Sequence, residues 1–86
     1  MRLSERQKQV LQCVIDAKNE KKRPFTRGVV KRMNDKGHEI TEKQCAYDLG
    51  VIIRTEGTGV ISAKFGSNPT CWIYDEKMAQ GAINDL

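Results

Sequence analysis

One histidine, three cysteines and no Cys-x-x-Cys pair leave this 86-residue chain poorly supplied for metal or redox chemistry. Cys13, Cys45 and Cys71 are odd in number and far apart, so they point to neither a disulfide framework nor a zinc site. Cys13 lies beside a helical apolar stripe and Cys45 within one, where cysteine acts as a small hydrophobe. His38 cannot complete a structural metal site without unusual ligands, and a surface loop is expected for it. There is no Gly-rich phosphate loop and no nucleophile elbow. Asp75 and Glu76 are adjacent and suit a helix cap better than a shared catalytic proton. The expectation is a protein with no enzymatic activity, no metal and no cofactor. No apolar run approaches the roughly 20 residues that span a bilayer, and Met1-Arg2-Leu3-Ser4 leads into an amphipathic segment rather than a secretory signal. A cytoplasmic chain without a membrane partner is expected.

What is present is an ordinary globular composition, 38% apolar and 30% charged, in a length that allows one domain, residues 1–86, with a small core. Charge is unevenly divided. Residues 1–36 hold eleven Lys or Arg against four Asp or Glu, a balance of +7, whereas residues 37–86 hold four against seven, −3, together the chain's +4. The basic half carries a polyanion signal: Lys21-Lys22-Arg23, Arg27, Lys31, Arg32 and Lys36 would meet phosphates in a salt-dependent, largely sequence-independent way. The competing explanation is a solvated face that only aids solubility.

Periodicity then orders the chain. Ser4 and Gln7 have capping-box spacing, and Val10, Leu11, Val14 and Ile15 recur on one helical stripe, which predicts a first helix from residue 4 to about 20. Pro24 ends any continuation at or before Arg23. Thr26 is expected to cap a second helix to about Asp35, with Val29, Val30 and Met33 inward. Gly37-His38-Glu39 makes a turn in which glycine supplies a left-handed residue. Thr41 and Gln44 form a second capping box and open a third helix whose inward stripe is Cys45, Leu49, Ile52 and Ile53, leaving Thr41, Lys43, Gln44, Tyr47, Asp48 and Arg54 outside. Gly50 costs roughly 1 kcal/mol against Ala and predicts a stop near Leu49. After the breaker Gly57-Thr58-Gly59, Val60 to Phe65 and Thr70 to Tyr74 read as strands joined by Gly66-Ser67-Asn68-Pro69. Alternation sets Ile61, Ala63 and Phe65 on one face and separates Cys71 and Ile73 from Trp72 and Tyr74, without deciding which aromatic faces inward. Asp75 can cap a short terminal helix with Met78, Ala82, Ile83 and Leu86 on one side, and Gly81 weakens it.

The order helix, helix, helix, hairpin resembles a winged helix-turn-helix DNA-binding domain, an α+β fold with a three-helix core and a C-terminal wing, over residues 3–74 with a tail at 75–86. Leu3-Ser4-Glu5-Arg6-Gln7, Val10-Leu11 and Arg23-Pro24-Phe25-Thr26-Arg27 are similar to the N-terminal domain of the bacterial SOS-response repressor. The resemblance implies a small transcriptional regulator that reads double-stranded DNA. Its third helix would enter the major groove with Lys43, Gln44 and Tyr47 toward bases and Thr41 at a phosphate. Arg27 and Lys31 would brace the backbone, and Lys64, Ser67 and Asn68 of the wing would reach along it. A single short helix reads few base pairs, so a homodimer is expected, and palindromic half-sites would follow from its twofold symmetry. The chain departs from the pattern in that Glu42, Asp48 and Glu56 outnumber Lys43 and Arg54 across the third helix.

That acidity motivates an alternative, a winged helix acting as an adaptor or inhibitor of a nucleic-acid enzyme. Such a module would dock on a protein partner through Trp72, Tyr74, Met78 and Ile83. A single-stranded role, with Phe65, Trp72 or Tyr74 stacking on bases, is a lesser candidate.

Overall fold

The computed structural model describes residues 3–79, and the structural statements that follow concern those residues. Helices α1 (Glu5–Asn19), α2 (Thr26–Asp35) and α3 (Glu42–Arg54) precede strands β1 (Val60–Ala63) and β2 (Cys71–Tyr74). Residues 76–79 add a helical turn. Three helices followed by an antiparallel hairpin make an α+β, winged-helix-like layout.

Both capping boxes form. The Ser4 hydroxyl accepts from the Gln7 amide at 3.1 Å while the Ser4 amide donates to the Gln7 side chain at 2.9 Å. Thr41 and Gln44 repeat the exchange at 3.1 and 3.0 Å. Each box satisfies two amides that the helix cannot. The start of α2 differs from expectation: extended Phe25 is the N-cap and makes no side-chain cap bond. Thr26 is instead the first helical residue, and its hydroxyl accepts from the Trp72 indole at 3.1 Å. A buried indole N–H needs an acceptor, and the nearby hydroxyl serves it rather than the helix.

The helix ends use left-handed residues. Past α2, the His38 amide donates to Met33 and the Gly37 amide to Asn34, both at 2.9 Å, with Gly37 at φ +87°. Past α1 the same Schellman closure runs from Lys22 to Ala17 at 2.8 Å and from Lys21 to Lys18 at 2.9 Å, but the left-handed residue is Lys21, at φ +60°. Helix α3 does not stop near Leu49; it continues through Gly50 to Arg54. Cys45, Leu49 and Ile52 are all fully buried, and packing that stripe outweighs the roughly 1 kcal/mol propensity cost of glycine. Its end is closed by hydroxyls: Thr55 donates to Val51 at 2.8 Å, and Thr58 donates to Ile52 at 2.8 Å, shared with Thr55 at 3.1 Å. Ile53, expected inward, is 38% exposed, and Val30 is half-buried.

The core joins all three helices to the hairpin. Val10, Cys13 and Val14 of α1 meet Val29 and Met33 of α2, Cys45, Leu49 and Ile52 of α3, and Val60 and Trp72 of the hairpin. Trp72 is thus the inward aromatic, while Tyr74 is half-buried against the same cluster. The strands pair from Val60↔Tyr74 to Ala63↔Cys71 and stop short of Phe65 and Thr70. Strand β2 also has a second neighbour: Phe25 bridges Cys71, and the Trp72 amide donates to the Pro24 carbonyl at 2.9 Å. The α1–α2 connection therefore acts as a third, one-bridge strand on the free edge of β2. At the other end, Gly59 sits at φ +74°, and a Cβ there would lie 2.7 Å from the Asp75 carbonyl and 2.9 Å from the Ala79 Cβ. The Asp75 side chain caps the terminal turn, accepting from the amides of Lys77 at 2.9 Å and Met78 at 3.3 Å. The expected stripe at Ala82, Ile83 and Leu86 lies outside the described residues.

Candidate nucleic-acid interface

Residues on α3 divide into an inward stripe and an outward face, and the division changes the charge of the outward face. Asp48, expected outside, is fully buried. Its carboxylate accepts two bonds from the Arg6 guanidinium of α1, at 2.7 and 3.0 Å, and one from the Gln7 side-chain Nε2 at 3.3 Å. Position 48 lies three residues after Cys45 and four before Ile52, on the packed side of the helix, where a carboxylate is tolerable only with such partners. The hydrogen bond from Arg6 to Asp48 raises the guanidinium pKa.

Glu42, in the first turn, accepts from the Arg27 Nε of α2 at 3.0 Å. Glu56 lies beyond the helix end. The outward surface of α3 carries Lys43, Gln44, Tyr47 and Arg54 beside Glu42, which stays exposed in its pair with Arg27. Lys43, Tyr47, Gly50 and Arg54 follow at intervals of four, three and four residues, one continuous helical ridge. Tyr47 is 64% exposed. The Arg54 guanidinium folds back along this ridge over Gly50, where a Cβ would lie in ordinary contact with Arg54 Nη1 at 3.5 Å. With Tyr47, Val51, Thr55 and Glu56 it lines a shallow cleft. Arg54 is not among the residues that the resemblance implies for the site, although its spacing from Lys43 and Tyr47 places it on the same ridge. Gln44 and Thr41 are partly committed, since the capping box engages the Gln44 Oε1 and the Thr41 hydroxyl and amide. The Gln44 Nε2 donors make no side-chain bond among the described residues and face solvent with the exposed residue.

The basic half of the chain separates into two groups. Arg32 bonds Glu20 at 2.6 Å and Lys36 bonds Asp16 at 2.8 Å, tying α2 to the end of α1. The hydrogen bond from Arg32 holds the Glu20 carboxyl below its ordinary pKa, and that from Lys36, aided by Gln12, does the same to Asp16. These two cations are structural ties. Arg27 and Lys31 are the exposed group, with side chains 88% and 81% accessible, and Lys31 reaches Asp35 only at 4.0 Å. Lys64, Ser67 and Asn68 are exposed in the wing connection, where the Asn68 amide donates to the Phe65 carbonyl at 3.2 Å. The Arg23 guanidinium stands 5.9 Å from the Phe65 ring centroid and connects the wing tip to the α1–α2 corner.

The residues expected at a protein interface are dispersed. Trp72 is in the core, Tyr74 is half-buried, Met78 is 51% exposed, and Ile83 lies outside the described residues. The three thiols are buried; burial pushes Cys45 up to about 12 and raises Cys13. Among the described residues no group of three His, Cys, Asp or Glu side chains is placed to hold a metal ion, and no helix is long and apolar enough to cross a membrane. Set against protein families, curated proteins and solved structures, the chain matches none.

Proposed function

We infer that this chain is a small, non-enzymatic protein that binds duplex DNA as a transcriptional regulator in the cytoplasm, with α3 in the major groove. The observation that carries this role is the removal of Asp48 from the outward face of α3: its carboxylate is turned inward onto Arg6, while Glu42 stays exposed in an ion pair with Arg27. Acidity along the third helix weighs against DNA, and the pairing of buried Asp48 with Arg6 takes one of the three carboxylates off the surface. Lys43 and the Gln44 amide supply hydrogen-bond donors to base edges, and Tyr47 an aromatic face with a hydroxyl. Arg54 adds charge further along the ridge. Arg27, Lys31, Thr41, Lys64, Ser67 and Asn68 meet phosphates and fix the register without reading sequence. One short helix reads few base pairs, so a homodimer on a palindromic site is part of the proposal.

Selection of bound sequences from a random duplex library tests it. An enriched motif is expected, with Lys43→Ala and Tyr47→Ala relaxing preference and Lys31→Ala weakening all sequences alike while reducing the salt slope by about one. Equal losses on specific and random DNA for all three variants would count against these assignments. Met78, a large apolar side chain left 51% exposed in the terminal turn, favours the adaptor alternative. Copurification with one stoichiometric protein, and no retardation of duplex DNA at low salt, would select it.

A further inference from the structure

Both phenylalanines of the chain stand exposed, Phe25 at 43% and Phe65 at 53%. Phenylalanine is ordinarily a core residue, yet here the core is closed by smaller side chains and Trp72. The two rings are not scattered. Phe65 lies against Arg23, and Arg23 and Phe25 together line a groove of about 630 Å³ between the α1–α2 corner and the outer face of α2. That volume falls within the roughly 300–1,000 Å³ of pockets that hold small organic groups. Lys22, Lys31 and Arg32 complete its cationic wall. Its two carboxylates are already matched: Glu20 by Arg32 at 2.6 Å and Lys22 at 3.8 Å, Asp35 by Lys31 at 4.0 Å. Arg23 has no carboxylate partner among the described residues, so the groove keeps a net charge of +2. Gly28 forms part of the floor, where a Cβ would stand 3.3 Å from the Pro24 Cβ.

An exposed ring beside the unpaired Arg23, in a groove of net positive charge and of this size, suits an anion that carries a flat apolar face. We propose that this groove is a second nucleic-acid site, which takes unpaired nucleotides, with a base stacked on Phe25 and its phosphate on Arg23. The site is separate from the ridge of α3. It rests on the nucleic-acid role inferred above but not on the major-groove assignment. Stacking on an aromatic side chain is tolerant of sequence, since every base presents a π face. The protein would therefore prefer a duplex that ends in, or opens into, a single strand.

Fluorescence anisotropy with the full chain tests this, using a blunt duplex, the same duplex with a short unpaired dT tail, and the dT strand alone. The tail is expected to tighten binding by about tenfold, and Phe25→Ala to weaken tailed-duplex binding by about 5- to 10-fold, erasing most of that gain, with blunt-duplex affinity unchanged. Phe25→Leu, which keeps an apolar residue at the β2 edge, should lose the same gain and guards against misfolding. Lys43→Ala should weaken the blunt duplex and retain the tail effect. A blunt duplex bound as tightly as the tailed one overturns the second site while leaving duplex binding intact. A dT strand held through Phe25 with no affinity for blunt duplex supports the second site and removes the major-groove role. A tail effect that survives Phe25→Ala, or a dT strand displaced equally well by polyglutamate at matched charge, overturns the proposal in favour of plain electrostatics or an acidic peptide.

Discussion

Removing Arg6 should destabilise the protein far more than removing an ordinary surface ion pair. Its guanidinium makes two of the three hydrogen bonds to the buried Asp48 carboxylate, and Gln7 supplies only the longest, at 3.3 Å. In Arg6→Ala the carboxylate stays in the core without a counter-charge. Breaking a buried pair in this way costs about 3–5 kcal/mol, because the orphaned charge has lost its solvation. The Arg6 side chain is itself 42% exposed, so water can enter the space it vacates, and the lower end, about 3 kcal/mol, is expected. Total stability for a chain of this length is about 4–13 kcal/mol, so the change removes a large fraction. Urea unfolding followed by the fluorescence of the single tryptophan, buried Trp72, reads it directly. The midpoint should fall by roughly 1–3 M at unchanged slope. Asp48→Asn, which keeps the shape and removes the charge, should cost less than Arg6→Ala, and the double variant should cost less than the sum of the two. A loss of less than about 1 kcal/mol for Arg6→Ala, typical of exposed pairs, would show that the carboxylate is hydrated and that α1 and α3 are not joined through it.

Gly59→Ala should cost about 2–4 kcal/mol in chemical denaturation, since a left-handed backbone and a 2.7 Å approach to the Asp75 carbonyl act together; a neutral result would mean that the junction of β1 and the terminal turn is loose. Lys21→Gly should stabilise by up to about 1 kcal/mol, because Lys21 holds the φ of +60° that glycine adopts freely, and a lowered Tm would contradict the Schellman closure of α1. Asp16 and Glu20 have pKa values below their ordinary 3.8 and 4.5 in the folded state. Their contribution is therefore complete above about pH 5 and lost as acid protonates them on the way down. Melting curves from pH 6 to 3 should show that decline, and Lys36→Met should flatten it. Buried thiols, with Cys45 raised to about 12, should resist alkylation at neutral pH in the native protein and react three per chain in urea. Rapid native labelling would refute their burial.

Much of the fold is legible in the chain because its signals are local. Ser4–Gln7 and Thr41–Gln44 announce helix starts by spacing alone, Gly37 marks a helix end, and Trp72 and its neighbours read as a strand. The failures are non-local. Thr26 looks like a cap because nothing nearby in sequence shows that the Trp72 indole, 46 residues away, will take its hydroxyl. Gly50 looks like a stop because propensity is read before packing, and the buried stripe of Cys45, Leu49 and Ile52 decides otherwise. Asp48 is the instructive case for the candidate site. A charged residue is assigned outward by default, but its helical position between Cys45 and Ile52 is inward, and the matching cation, Arg6, lies 42 residues earlier. The single bridge of Phe25 to Cys71 leaves no periodic trace, because one paired residue has no period.

That bridge has a mechanical consequence. Because β2 is pinned on one edge by β1 and on the other by Pro24 and Phe25, the hairpin cannot peel away without also loosening the corner between the first two helices. A finger tethered on both sides should open only when the whole body opens. In hydrogen exchange the Trp72 amide, held by the Pro24 carbonyl, should therefore be among the slowest in the protein, keeping pace with the middle of α1 rather than with the loop at Ser67.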